Sequence, residues 1–123
     1  MAARGIALNW TTPAFDAGPF YVSQGESVLL TFTAVSVTTI VDWTLVFSVK
    51  RFHTDTSPLF TVTPTLTDTT NGVFTVALTA AQTLTTMQYL QSYPFDVWRV
   101  DSGSETLLTF GSIDLGENTR NSV

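Results

Sequence analysis

Period-two alternation of apolar and polar residues is the feature that most constrains the fold of this chain. In one run Val28, Leu30 and Phe32 share a face, and threonines occupy the positions opposite. Such alternation places every second side chain on the buried side of a β-strand. The pattern recurs between turn-forming clusters and predicts strands at 20–23, 27–35, 43–52, 59–67, 73–79, 93–100 and 105–115.

The spacing of these seven runs predicts one all-β domain, an antiparallel β-sandwich over residues 20–115. The 23 threonines agree, because Thr suits a pleated, half-buried surface. Pro64 demotes the fourth run to an edge strand or implies a bulge, and Asn71-Gly72 predicts a tight turn. Residues 80–84 are expected to form a short helical turn. We expect residues 1–19 to be an extended N-terminal arm and 116–123 a flexible C-terminal tail.

Charge and cysteine content exclude several classes of function. The net charge is −5 with five cations, which does not match a row of phosphates, so nucleic acid is not an expected partner. No run of about 18 apolar residues exists that would span a membrane. The absence of cysteine excludes disulfides and thiolate metal sites. No cofactor and no metal site are predicted.

The residues that carry enzyme chemistry are scattered. His53 lies near Asp55 and Ser57, but a polar loop does not hold a catalytic triad, and solvated loop residues are the favoured interpretation. The carboxylates occur singly, although spacing alone leaves a glycosidase pair open. Asp96 is expected on the solvent face of its strand, beside Arg99 or a cross-strand partner. We therefore predict a protein that is not an enzyme.

Aromatic residues are the remaining candidates for function. If Val97 faces the core, Trp98 points outward, and strict alternation does not allow Leu107, Leu108 and Phe110 all to be buried. This predicts a small exposed patch of Trp98 with Leu108 or Phe110. The equally weighted alternative is that a bulge or the N-terminal arm covers it.

The N-terminal arm carries its own apolar residues. Such an arm either folds over a sheet edge of its own domain or inserts into a neighbour. Deleting residues 1–15 is then expected to leave the sandwich folded. Together with the patch, this predicts an interface formed by Ile6, Leu8, Trp10, Phe15, Trp98, Leu108 and Phe110.

Several strand motifs resemble those of small immunoglobulin-like domains in tailed-bacteriophage virion proteins. The similar segments are 24–33 (QGESVLLTFT), 43–50 (WTLVFSVK), 72–83 (GVFTVALTAAQT), 93–99 (YPFDVWR) and 105–115 (ETLLTFGSIDL). The resemblance covers residues 20–115 and implies an immunoglobulin-like sandwich. It consists of strand and turn patterns and not of a binding-site motif.

The resemblance implies a virion structural protein, made in the host cytoplasm and present in many copies or as a homo-oligomer. A capsid decoration (cement) protein that binds the major capsid protein is favoured. A tail, baseplate or fibre-attachment adaptor is the alternative within that class. From a different class, a carbohydrate- or receptor-binding module stays open, because an exposed tryptophan stacks well on a sugar.

Overall fold

The protein is all-β, with nine strands and one short helical turn in the part of the chain described. The computed structural model describes residues 4–11, 13–36, 38–87 and 90–116. The strands are β1 Arg4–Trp10, β2 Phe20–Ser23, β3 Val28–Ala34, β4 Leu45–Val49, β5 Phe60–Val62, β6 Thr65–Asp68, β7 Val73–Leu78, β8 Ser92–Arg99 and β9 Thr106–Gly116.

The strands form two sheets that pack as a sandwich. One sheet has the order β1-β3-β7-β6 and the other β2-β9-β8-β4-β5. The predicted all-β sandwich is confirmed, but seven antiparallel strands is wrong. The described residues form nine strands, and the β1–β3 and β2–β9 pairs are parallel. Both parallel pairs involve an edge strand that reaches its partner from the N-terminal segment.

Alternating side chains from both sheets fill the core, as the period-two pattern predicts. Phe32 of β3 stacks on Phe74 of β7 with ring centroids 5.0 Å apart. Phe47 of β4 stacks on Phe95 of β8 at 5.4 Å. All four rings are at most 3% exposed. Such offset aromatic pairs add about 0.5–1.5 kcal/mol each beyond the area they bury.

Residues 4–10 form a strand of the sandwich, so the prediction of an N-terminal arm is wrong for this segment. β1 pairs with β3 along its full length, from Arg4 opposite Val28 to Trp10 opposite Ala34. The Trp10 side chain is 1% exposed, and its Nε1 donates a hydrogen bond to the carbonyl oxygen of Gly72 at 2.7 Å. The strand belongs to the core because Leu8 and Trp10 alternate on its inner face. The predicted tail, beyond Gly116, lies outside the described residues.

Pro64 divides the predicted fourth strand into two. β5 lies in the five-stranded sheet and β6 in the four-stranded sheet, so the chain crosses between the sheets at this point. Proline has no N–H to donate, which favours a break in the ladder there. The expected helical turn appears as a single π-helical turn at Gln82–Thr86. Gly72 has a φ of +69°, as the predicted tight turn requires.

Candidate binding face

A bulge in β9 decides which residues of the last two strands reach the surface. Val97 pairs with Thr109, whereas the next residue, Trp98, pairs with Leu107, so Leu108 is the extra residue. Leu108 and Thr109 are consequently both buried, at 1% and 0% exposure. Because of the bulge, the outward-facing residues on either side of the buried pair are Leu107 and Phe110.

Cross-strand pairing on the outer side of the five-stranded sheet arranges these residues in two rows. The first row runs across three strands and is apolar: Val46, Trp98 and Leu107. The second row consists of Ser48, Asp96 and Phe110. Trp98 is 39% and Phe110 37% exposed. We call this surface, formed by the two rows, the aromatic face.

A shallow groove of about 410 Å³ crosses the aromatic face. Its lining is mixed, because apolar side chains meet a carboxylate, an amine and an imidazole. The residues that line it are Lys50, His53, Pro94, Phe95, Asp96, Trp98, Leu107, Phe110 and Gly111. An aromatic platform with a few polar groups at its side is typical of a ligand or partner site.

Asp96 is the ionisable group whose environment in the groove is most unusual. Partial burial between its neighbours raises the pKa of the Asp96 carboxyl above its ordinary value. A hydrogen bond from the Trp98 side chain and the positive charge of Lys50 oppose that shift without cancelling it.

Arg99 does not pair with Asp96, contrary to one of the two sequence expectations. Its Nε contacts Oδ2 of Asp101 at 2.7 Å, and its guanidinium lies 4.2 Å from the ring centre of Trp43. The Arg99 hydrogen bond lowers the pKa of the Asp101 carboxyl. Asp96 lies on the outer side of the sheet beside its cross-strand neighbours Ser48 and Phe110, as the second expectation states.

His53 and Asp55, which lie close together in the sequence, have different contacts in the structure. Oδ2 of Asp55 accepts the backbone N–H of Phe52 at 3.1 Å and so closes the loop in which it lies. His53 lines the groove beside Lys50, and Asp96 is the one carboxylate in that lining. Within residues 4–11, 13–36, 38–87 and 90–116, no three His, Cys, Asp or Glu residues are grouped as metal ligands would be.

The seven residues predicted to form an interface divide into two groups. The core contains four of them, either buried or partly buried against it: Ile6, Leu8, Trp10 and Leu108. Leu8, Trp10 and Leu108 are buried and offer little or no surface to a partner, so the prediction that they form an exposed interface is wrong. Ile6 is half-buried and keeps part of its side chain exposed. The other three are exposed at 37–39%: Phe15, Trp98 and Phe110. Trp98 and Phe110 lie together on the aromatic face.

Phe15 borders this face through its backbone. Thr109 Oγ1 donates a hydrogen bond to the Phe15 carbonyl oxygen at 3.3 Å, and Asp16 forms a parallel bridge with Phe110. The Ala17 N–H donates to the Phe110 carbonyl oxygen at 2.8 Å. The segment 15–17 therefore runs along the same edge of β9 that β2 occupies farther along.

Lys50 and Leu107 are the members of the site that the sequence interpretation missed. A signal for Leu107 was present, because the Leu107-Leu108 pair breaks the alternation and a bulge can turn either residue outward. Lys50 carries no such signal. Its place depends on the pairing of β4 with β8, which strand patterns alone do not give.

Comparison with known proteins adds little to this geometry. No protein-family model matches the chain, and no curated protein matches it. Among solved structures the chain is similar to reduced rusticyanin, with 12% sequence identity and a TM-score of 0.40 over 94% of this chain and 82% of that one. A likeness at this level carries no argument about function. No helix among the described residues has the length and apolar character needed to cross a lipid bilayer.

Proposed function

We propose that this chain is a non-enzymatic structural protein of a tailed-phage virion that binds its neighbour through the aromatic face. The major capsid protein is the favoured partner, which makes the chain a decoration protein of the head. A tail or baseplate protein is the second choice. The observation that carries the proposal is the exposure of Trp98 and Phe110 on the same outer face of the sheet, where both line one groove.

The energetics of this face suit repeated, individually weak contacts. Trp98 and Phe110 each leave more than a third of their surface exposed. Covering that surface contributes roughly 2 kcal/mol for each ring at 25 cal/mol per Å². Large aromatic residues are the usual centres of binding energy at interfaces. Many copies on one lattice then multiply a modest affinity.

The strand order supports an immunoglobulin-like relationship. In that fold one sheet has the order A-B-E-D and the other contains C-F-G. With β2 and β5 left out, the other seven strands are lettered A to G in chain order. Then β1-β3-β7-β6 corresponds to the first sheet and β4-β8-β9 to the second. The parallel β1–β3 pair is a departure from the antiparallel sheets of that fold. The virion context itself rests on the resemblance of the strand motifs.

The decisive experiment measures incorporation of variants into particles. We expect Trp98→Ala with Phe110→Ala to reduce the copies bound per particle by at least about tenfold, because each ring contributes more than 1.4 kcal/mol. Tyr21→Ala is the matched control, since Tyr21 is an aromatic residue on the same outer side of the sheet and is 73% exposed. Normal incorporation of the double variant would refute the aromatic face as the contact.

A cryo-EM map of the intact particle tests the location separately. Density for the sandwich on the head supports the decoration assignment, and density on the tail transfers the protein to the adaptor class. Particles that lack the chain altogether would contradict the virion proposal. This readout does not depend on which residues form the contact.

Carbohydrate binding is the second candidate function, and the position of Asp96 favours it. A half-buried carboxylate hydrogen-bonded to an exposed indole places an acceptor beside a flat stacking surface. Sugars offer hydroxyl donors at the rim of an apolar ring face, and that chemistry matches this pair. Titration of the chain with neutral oligosaccharides tests it. Asp96→Ala is expected to abolish sugar binding and to reduce incorporation into particles less than the Trp98→Ala, Phe110→Ala double variant does.

A further inference from the structure

β1 is an edge strand of the four-stranded sheet, and half of its backbone groups point away from that sheet. Its N–H and C=O groups alternate in direction from one residue to the next. The Arg4 N–H donates to the Ser27 carbonyl oxygen at 3.4 Å, and the Trp10 carbonyl oxygen accepts the Val35 N–H at 2.8 Å. The even-numbered residues therefore face β3. The backbone groups of Gly5, Ala7 and Asn9 face outward.

Among the residues that the structure describes, this edge has none of the features that usually protect an edge strand. Natural edges are blunted by proline, bulges, free charged side chains or a covering segment. β1 has seven residues without proline, and in the described part of the chain its sole sheet partner is β3. Its one charged residue, Arg4, is held by Glu26 at 2.7 Å. No atom lies within 4 Å of the position that a Gly5 side chain would take.

We propose that β1 pairs antiparallel with β1 of a second copy of this chain, about a twofold axis at Ala7. In this register Ala7 lies opposite Ala7 of the second copy, and Gly5 lies opposite Asn9. Each of these pairs exchanges its two outward backbone hydrogen bonds. On the inner side Ile6 lies opposite Leu8, so the exposed part of the half-buried Ile6 side chain is covered by an apolar residue.

The symmetry of the free backbone groups and the absence of charge beside them favour a second copy as the occupant. A twofold interface requires a surface that matches itself, and the outward backbone groups of Gly5, Ala7 and Asn9 are arranged symmetrically about Ala7. The net charge of −5 on each chain opposes association, and this repulsion is smallest where the meeting surfaces carry no charge. The neighbouring outward rows, Gly5-Leu29-Ala77 and Ala7-Thr31-Thr75, are uncharged. The aromatic face belongs to the other sheet and stays free in such a dimer.

The oligomeric state of the full chain in solution tests this proposal. Because the pairing buries little area, a dissociation constant in the micromolar range is expected, and the mass is measured by light scattering and sedimentation up to about 100 μM. The expected limiting mass is twice the chain mass of 13.4 kDa. A chain that stays monomeric over this range would overturn the proposal.

Ala7→Pro removes the outward N–H and leaves the bonds between β1 and β3 in place, because edge strands tolerate proline where the N–H faces solvent. We expect it to raise the dimer dissociation constant at least about tenfold, which corresponds to 1.4 kcal/mol. Ala7→Ser keeps the N–H and is the matched control. Circular dichroism verifies that each variant is folded.

Ala7→Lys is a second variant, in case proline disturbs the strand. It places two like charges at the twofold axis, and we expect the same loss of dimer. If either folded variant dimerises as the natural chain does, β1 is not the interface. Loss of the dimer in Trp98→Ala, with Ala7→Pro unaffected, would likewise overturn the proposal and assign self-association to the aromatic face.

Discussion

Replacing Trp10 by alanine tests most directly whether the N-terminal segment belongs to the core. The side chain is 1% exposed and packs between Trp43 and Phe74, with ring centroids 6.1 and 6.2 Å away. Truncating a buried tryptophan to alanine costs about 3–5 kcal/mol. The lost Nε1 hydrogen bond to Gly72 is included in this range at about 1 kcal/mol.

The loss of stability in Trp10→Ala includes no penalty for an unpaired carbonyl group. The Gly72 oxygen also accepts the Ala34 N–H at 3.2 Å, so it keeps a partner when the indole is removed. A loss of 3–5 kcal/mol is a large part of the 5–15 kcal/mol that stabilises a typical domain. For a chain of this size each kcal/mol lowers the melting temperature by about 4 °C, so a fall of roughly 12–20 °C is expected.

Thermal and urea unfolding followed by circular dichroism measure this loss. Tyr21→Ala is the control, because it removes an aromatic ring that is 73% exposed, and we expect a change within about 0.5 kcal/mol. If Trp10→Ala melts within about 2 °C of the natural chain, the side chain is not part of the core. Deleting residues 1–15, expected from the sequence to leave the sandwich folded, is now expected to unfold it.

Four further substitutions have expected outcomes that unfolding experiments check. Burial raises the pKa of Asp96 and so penalises its ionised form, and Asp96→Asn should raise the melting temperature at pH 7 but not at pH 3. The Arg4 hydrogen bond lowers the pKa of Glu26, so the stability it gives is present at pH 7 and is lost as the carboxylate is protonated. Glu26→Gln should therefore cost up to about 1 kcal/mol at pH 7 and nothing at pH 2. Leu108→Ala should cost about 2–4 kcal/mol and Leu107→Ala about 1 or less, and equal losses would contradict the bulge.

Local alternation predicted several strands well, because burial on one side imposes a period of two. The predicted runs at 20–23, 73–79 and 93–100 correspond to β2, β7 and β8 within one residue at each end. β1 was missed although Ile6, Leu8 and Trp10 alternate in the same way. Three apolar residues among prolines and glycines are a weak local signal, and a parallel partner leaves no hairpin turn to reveal it.

The aromatic face was partly predictable for a different reason. The sequence shows that Leu107, Leu108 and Phe110 conflict with strict alternation, so an irregularity is expected there. Which residue is extra depends on the register of β9 against β8, and two registers satisfy the pattern equally well. The structure resolves this by burying Leu108. The positions of the groove residues Lys50 and His53 depend on contacts between distant strands. The alternation of apolar and polar residues therefore could not predict them.

The pairing of β2 with β9 has a consequence for synthesis in the cell. Phe20 aligns with Ile113 and Ser23 with Gly116. β2 is therefore synthesised early but cannot pair until β9 has been synthesised. Until residue 116 leaves the ribosome, the nascent chain carries an unfinished five-stranded sheet with apolar residues open to water. The five-stranded sheet can close only after these distant segments meet, and long-range pairing of this kind is expected to slow folding.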